Sequence, residues 1–565
     1  MGAGVGAGDR RRGTAAGLFG AALLVAGTVL TSGGGAYAQP SPSPGGHSAG
    51  HGEDGKHDGK GGGRGDGRDD GRGDGRGDDR GRGAEPARNR AGDAEPTGTG
   101  GPVGQAAPGT GTTPSSTPPT APSGTPAGPP ASPAAGRPAP PAGAVLASAE
   151  AGPAAALPTS QGLQQALAAA LGDRNLGTVS FAVADAAGGQ LLYGSGENTP
   201  ATPASTTKLA TTVAALSLIP ADTRLTTRVV KGANPGEITL VGGGDPTLTA
   251  LSPDQVQIGG LPADADTAPA SLDALARQTA AALKAAGTTT VKLDYDLSLY
   301  AGNPQHKNHD AANIALVTPL MVDEGKVDPK SREDAPARVA DPASQAADAF
   351  AALLKAQGVT VDGKAKPAVA PAAATAPVLG RVDSPTVARL VERLLTTSDN
   401  TLAEAIARQA ALAAHQPASF EGAATAVTQE LARLGVPMTG VVLGDGSGLY
   451  PGNAIPPAVL VQLLALAASD QHPTLRPVLT GLPIAGFTGT LGKRFGAGSG
   501  SAEAAGLVRA KTGSLSGVNT LAGAVVDAEG RLLTFALMTK TTASADTARA
   551  AMDRVVAKLA GCGCH

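Results

Sequence analysis

The stretch GDGRDDGRGDGRGDDRGRG, Gly65 to Gly83, sets the strongest limit on what this chain can fold into. It alternates Asp and Arg with Gly and offers no apolar side chain to a core. The residues that follow, to about Ala156, are rich in Pro, Ala, Thr and Ser. Neither part can bury enough apolar area to offset the entropy of ordering it. Residues 39–157 therefore read as a disordered tether, flexible and mixed in charge at first, then stiffer and Pro/Ala-rich. His47, His51 and His57 lie in it and read as solvated side chains rather than metal ligands. Whatever folds must lie downstream of about Pro158.

Upstream of the tether, Arg10 to Arg12 form a basic segment and Ala15 to Leu30 an apolar one, and Ala36-Tyr37-Ala38 fits a small-x-small cleavage site. Residues 1–38 read as a signal peptide, so the expected address is extracytoplasmic, in the cell wall or secreted. Gly17, Gly20 and Gly27 weaken the apolar segment as a span of ~20 apolar residues. A membrane is an expected partner only if this segment stays uncleaved. The formal net charge of −3 and pI near 6.3 argue against a nucleic-acid partner. Cys562 and Cys564 stand too close to the end to staple a fold. Residues 562–565 read as a flexible tail, in preference to a metal site or an intermolecular bridge.

Trp is absent and aromatic residues make up 2% of the chain, so a core must be built from Ala, Leu and Val. QGLQQALAAALG from Gln161 reads as a helix. TVSFAVAD from Thr178 and QLLYG read as two strands joined by a turn. From about Thr223 to Val378 the character changes: short strands (EITLVG, TVKLDYDL) mix with helices (SLDALARQTAAALKAAG) and frequent turns. Ser384 as N-cap and Pro385 at the first helical position open a helix to Leu395. A second helix opens at Thr401, with Glu404 completing a capping box. GLVRAKTG, VNTLAGAVV and LLTFALM read as three strands before a closing helix that carries Met552, Val555, Val556 and Leu559. The assembly this predicts is an α/β (α+β) fold: a five-stranded antiparallel sheet flanked by helices, made of residues 158–222 and 379–561. A large α+β domain, residues 223–378, is inserted into it.

The chemistry starts at PASTTKL, Pro203 to Leu209. With Thr202 as N-cap and Pro203 at the first position, Ser205 sits in the first turn of a helix, where a backbone N–H has no intrahelical partner and can receive an oxyanion. Lys208, three residues on, rises on the same face. A serine hydroxyl is a weak nucleophile until a base takes its proton. A lysine amine does that only when neutral, and burial favours the neutral form. Ser-x-x-Lys alone is common. SDN, Ser398 to Asn400, places a second hydroxyl and an amide in a tight interhelical loop. KTG, Lys511 to Gly513, ends a strand where Lys511 and Thr512 can bind a carboxylate and glycine leaves room for a substrate alongside. The three stretches in this order are the signature of class A β-lactamases and penicillin-binding proteins.

With LVGGGDPTL (Leu240 to Leu248), DGSGLY (Asp445 to Tyr450) and AKTGSLSGVNTLAG (Ala510 to Gly523), the region from Pro158 to Leu559 resembles the low-molecular-mass, class C penicillin-binding proteins, the D-alanyl-D-alanine carboxypeptidases/endopeptidases with a large insertion. It departs from that family at Tyr450, where a serine is usual. The resemblance implies the serine β-lactamase/penicillin-binding transpeptidase-like fold, no cofactor and no metal, and a serine D,D-peptidase acting on peptidoglycan stem peptides, with β-lactam antibiotics as covalent inhibitors. It implies that Ser205 is acylated and Lys208 takes its proton. Ser398 passes a proton to the leaving amine, and Asn400 bonds the substrate amide or Lys208. Lys511 and Thr512 hold the terminal carboxylate beside Gly513, and the N–H groups of Ser205 and Ser514 hold the oxyanion. Asp399 is open between a cap and a cleft residue. GGGDP (Gly242 to Pro246) reads as a tight turn. Asp445 and Ser447 are open between shaping a loop and touching substrate. The alternatives are a β-lactamase, against which stand the 190 residues from Lys208 to Ser398, and a non-catalytic wall-binding module, against which stand the intact motifs.

Overall fold

The structure, a computed structural model, describes residues 156–258, 261–333 and 335–565. The expected signal peptide and nearly all of the expected tether lie outside the described residues. Helix α1 (Ser160–Leu171) is capped by Thr159, whose side chain accepts from Gly162 N. Strands β1 (Thr178–Asp185) and β2 (Leu191–Ser195) follow, and then helix α2 (Thr207–Leu218). Residues Thr207 to Leu216 of α2 are buried on every side, as expected for a helix with apolar or small residues around its whole circumference.

Next comes a guest domain. It is built from β3 (Arg224–Lys231), β4 (Glu237–Val241), the short pair β5 (Gln257–Ile258) and β6 (Leu261–Pro262), α3 (Leu272–Ala285), β7 (Thr290–Asp296), α4 (Pro342–Ala356), β8 (Thr360–Val361), β9 (Lys366–Pro367) and β10 (Val378–Thr386). The main sheet runs β10-β3-β4-β7-β8, with β9 also on β7. β4 and β7 are parallel, as are β7 and β8. Each parallel pair needs a crossover, supplied by α3 and α4. Leu272, Leu275, Leu283, Phe350 and Leu354 from these helices bury against Val229, Ile238, Leu240 and Leu293 of the sheet. Entry and exit strands pair antiparallel, with Arg224 opposite Thr386, so the guest leaves and rejoins its host at one point.

The host resumes with α5 (Val387–Thr397), α6 (Asn400–Ala413), α7 (Phe420–Arg433), α8 (Pro457–Ala468), α9 (Arg476–Thr480), β11 (Val508–Leu515), β12 (Val518–Val526), β13 (Leu532–Lys540) and α10 (Ala545–Ala560). Its sheet is the expected five-stranded antiparallel one, in the order β11-β12-β13-β1-β2. Period-two alternation assigns its faces. Phe181, Val183, Leu521, Leu533, Phe535 and Leu537 pack under α1 and α10. Ala182, Ala184, Ala522 and Ala536 face the layer of α2, α5, α6 and α8. Small side chains on that second face let α2, the helix leading out of the Ser205 turn, lie close to the sheet.

Three local expectations are corrected. Ser384 and Pro385 extend β10 instead of opening α5. Ser384 Oγ accepts from Leu225 N at 2.9 Å, which ties it to the neighbouring strand, and Thr386 caps the helix through Arg389 N. α6 opens at Asn400, capped by Asp399 accepting from Leu402 N at 2.9 Å. Glu404 therefore makes no capping box and points into the protein. The C-terminal residues are also not a frayed tail. Cys562 and Cys564 are bridged to each other and buried in the α1/α10 core, and Cys564 O accepts from Thr159 N at 2.7 Å.

Candidate active site

Ser205 lies on a 3-10 turn, Ala204–Thr206, one step before α2. The expectation that it belongs to an α-helix capped by Thr202 is corrected here. Three donors converge on Pro203 O: Thr206 N at 3.1 Å, Thr206 Oγ1 at 2.7 Å and Thr520 Oγ1 at 2.8 Å. Ala204 takes a left-handed φ of 47°, a costly conformation for a residue with a side chain, so the surroundings must over-determine the turn. Gly448 is part of that clamp: a Cβ there would lie 1.9 Å from Ala204 O. Gly513 of β11 closes the other side, where a Cβ would sit 2.9 Å from Ser205 N.

Lys208 is fully buried. Its Nζ lies 3.0 Å from Ser205 Oγ, 2.7 Å from Asn400 Oδ1 and 2.7 Å from Ser447 O. Burial lowers its pKa to about 8, and the fields of Asp445, Glu404 and Asp399 limit the fall. A substantial neutral fraction is thus present near neutral pH, as a general base requires. Asn400 is fixed at both ends of its amide: Oδ1 accepts from Lys208, and Nδ2 donates to Asn313 O of the guest at 3.0 Å.

Ser398 holds a left-handed conformation (φ 60°, ψ 30°) at the end of α5, which turns its side chain toward β11. There Lys511 Nζ donates to Ser398 Oγ at 2.8 Å and to Thr512 O at 2.8 Å. Lys511 is fully buried too, and its pKa is pushed well down by burial and by the charge of Lys208. Two amines in one dry groove cannot both carry charge cheaply. Thr512 Oγ1 donates to Thr490 Oγ1 at 2.8 Å. The Ser514 side chain turns to the surface, where Arg549 Nη2 donates to it at 3.1 Å. Ser205, Lys208 and Asn400 thus form one bonded group and Ser398, Lys511 and Thr512 a second, and β11 carries the chain from Lys511 to Gly513, which packs against the Ser205 turn.

Behind them lies a shell in which sequence reasoning singled out Asp445 and Ser447 but missed His309 and the inward role of Glu404. Glu404 accepts from Gly446 N and Ser447 N, the latter at 2.8 Å. Asp445 accepts from Gly448 N at 2.9 Å, Tyr450 N at 2.7 Å and Asn453 Nδ2 at 2.6 Å, and pairs with His309 Nε2 at 2.7 Å. Asp445 and Ser447 are buried, so they shape the loop that offers Ser447 O to Lys208. His309, Glu404 and Asp445 come close enough to suggest a cation site, but backbone N–H groups already occupy the carboxylates, a pattern that anchors a loop. Asp245 of GGGDP likewise accepts from Thr247 N at 2.8 Å and shapes a turn.

A second buried cluster stands behind Ser398. Glu324, from a guest-domain turn with left-handed φ at Asp323 and Glu324, pairs with Arg393 of α5 and with Lys326 at 2.9 Å. Arg338 Nη1 donates to Glu324 O at 2.7 Å. Arg393 and Lys326 hold the Glu324 carboxyl far below the usual carboxylate range. Asp399 abuts Glu324, and burial together with that neighbour pushes its pKa up to about 6.

The family model for the D-Ala-D-Ala carboxypeptidase 3 (S13) family matches residues 163–337 and 330–559. The chain is 38% identical over 424 residues to the carboxypeptidase DacB of Mycolicibacterium smegmatis, spanning 72% of this chain and 85% of that protein. It is 36% identical over 420 residues to a carboxypeptidase of Mycobacterium tuberculosis, spanning 73% of this chain and 86% of that one. Among solved structures, penicillin binding protein 4 from Haemophilus influenzae is similar in fold, with a TM-score of 0.55 at 20% identity, covering 71% of this chain and 98% of that one.

Proposed function

The chain belongs to the D-Ala-D-Ala carboxypeptidase 3 (S13) family and is a serine-type D-Ala-D-Ala carboxypeptidase; we propose that Ser205 is its nucleophile and Lys208 its general base. The observation that carries this reading is the 3.0 Å contact between Lys208 Nζ and Ser205 Oγ, with the amine buried and its pKa near 8.

The neutral Lys208 amine takes the Ser205 proton as Oγ attacks the carbonyl carbon of the D-Ala-D-Ala bond. The oxyanion is held by the backbone N–H groups of Ser205 and Ser514. Asn400 Nδ2 has a second hydrogen free for the substrate amide, since only one is used by Asn313. The C–N bond breaks as the proton taken up by Lys208 is returned to the leaving nitrogen through Ser398. D-Ala departs, and water then releases the peptide from Ser205. Lys511 and Thr512 hold the substrate carboxylate, whose charge offsets that of a buried amine. The same groups acylate on a β-lactam ring, whose opened form stays on Ser205. Crosslinked D,D-bonds are a second substrate of the same step. Export through residues 1–38, to the wall or the medium, agrees with a substrate that lies outside the membrane.

The test is intact-mass measurement after fluorescent penicillin labelling. Wild type gains one adduct, and Ser205→Ala gains none. An adduct surviving in Ser205→Ala would refute the assignment. Digestion of purified muropeptides reports whether terminal D-Ala, crosslinks or both are cut.

A further inference from the structure

The loop that follows α9 turns back along β11 and is fastened to it. Ile484 bridges to Arg509, Ile484 N donates to Thr488 Oγ1 at 2.9 Å, and Leu491 is fully buried. Between these anchors runs a 3-10 turn, Gly489–Leu491. Gly489 has a φ of 53°, and a Cβ there would come within 2.2 Å of Thr396 O. Only glycine fits that approach, and the turn it permits delivers Thr490 Oγ1 to 2.8 Å from Thr512 Oγ1. Thr490 faces solvent, while Thr512 is half-buried above Lys511.

Two features ask for an anion at this place. Among the described residues, the Lys511 amine bonds a hydroxyl and a carbonyl but no carboxylate. Protonated, that fully buried amine is expensive without a counter-ion, so a bound anion would favour its charged, donating form. The paired hydroxyls are also incomplete: when one donates to the other, one hydrogen stays unused. A carboxylate laid across them accepts a hydrogen from each, replacing one neutral bond by two charge-assisted ones.

We propose that Thr490 is a substrate-binding residue that closes, with Thr512, a two-hydroxyl clamp on the C-terminal carboxylate of the peptide and on the ring carboxylate of a β-lactam. The proposal rests on the reading of Ser205 as nucleophile given above. It adds a fourth stretch of chain, outside the three motifs, to substrate selection.

The readout is the ratio of second-order acylation rates for two thioesters of the same N-acyl-D-Ala group, one whose thiol leaving group carries a carboxylate and one whose leaving group carries none. Thr490→Val is expected to lower that ratio about tenfold, the worth of one hydrogen bond to a charged group. Thr490→Ser, which keeps the hydroxyl, is expected to restore it. A Val variant with the wild-type ratio overturns the clamp, and so does one in which both donors slow equally, since that marks a structural effect. A Ser variant as impaired as Val overturns it as well. A wild-type enzyme that fails to favour the carboxylate-bearing donor overturns the carboxylate seat as a whole. Failure of either donor to acylate Ser205 in wild type is a separate outcome, which sinks the nucleophile assignment along with the clamp.

Discussion

Replacing Asn400 by Asp tests the general base directly. The substitution puts a carboxylate oxygen where the amide oxygen now accepts from Lys208 Nζ, at 2.7 Å. A unit charge pair at roughly that distance is worth on the order of 1.5–6 kcal/mol for effective dielectrics of about 80 down to 20. The low end applies, because the new charge is spread over two oxygens and is itself partly desolvated. It still corresponds to a rise of about one pKa unit. The sign is fixed: an adjacent anion favours the protonated amine, so Lys208 loses its proton at higher pH. From a wild-type value of about 8, about one amine in ten is neutral at pH 7, falling to about one in a hundred in Asn400→Asp. Acylation at pH 7 should then drop about tenfold further than the loss of the amide donor alone explains, with that tenfold recovered as the pH rises past 9. The assay is the second-order rate of fluorescent-penicillin acylation across the range from pH 6 to 10. A rising limb with the same midpoint in both proteins would show that Lys208 does not govern the step.

Two further expectations follow from the same geometry. Gly513→Ala puts a Cβ 2.9 Å from Ser205 N and 2.1 Å from Thr520 Oγ1, pushing the nucleophile off its position. Acylation should fall by ~10²-fold, the scale of an ångström's misplacement, and rates within a few-fold of wild type would contradict the packing. Asp399→Asn keeps an acceptor for Leu402 N but removes the charge facing Glu324. The Asp399 carboxyl, raised to about 6 from an ordinary 3.8, contributes stability that is full below the ordinary value and lost as the pH climbs through the raised one. The melting temperature of Asp399→Asn relative to wild type should therefore increase between pH 5 and pH 8, and a constant difference would discount the carboxyl pair.

The three short motifs were legible because each couples a distinctive residue set to a turn or strand end that sequence marks well. The sheet was legible because its strands are unbroken runs such as VNTLAGAVV. What escaped has physical reasons. Glu404 stands three residues after Thr401, as in a capping box, but Asp399 caps one step earlier and frees Glu404 to face inward. Ser384 and Pro385 carry helix-start chemistry, yet they form an irregularity in β10 between Asp383 and Thr386, which pair with β3, and the Ser384 hydroxyl is taken up by Leu225 N. The left-handed conformation of Ser398 belongs to a residue type that rarely adopts it, so no local signal announces it. His309 and Glu324 reach Asp445 and Arg393 across 136 and 69 residues of sequence, and only the folded chain pairs them. The buried Cys562 and Cys564 owe their place to the space under α1, which composition does not reveal.

The pairing of Glu324 with Arg393 has a consequence for any attempt to shorten this enzyme. Because the chain exits and re-enters at adjoining residues, excising the guest and splicing its neighbours looks geometrically easy. The truncated product would nevertheless keep an Arg393 guanidinium whose bonded partner, Glu324, had gone and which faced Asp399 alone, and an Asn400 amide no longer tethered at Asn313. Losing that ion pair and that tether loosens the Ser398 loop without touching any reacting atom. A viable minimal enzyme would need new partners for Arg393 and Asn400 as well as the deletion, which makes the guest domain a structural wall of the catalytic groove and not an ornament on it.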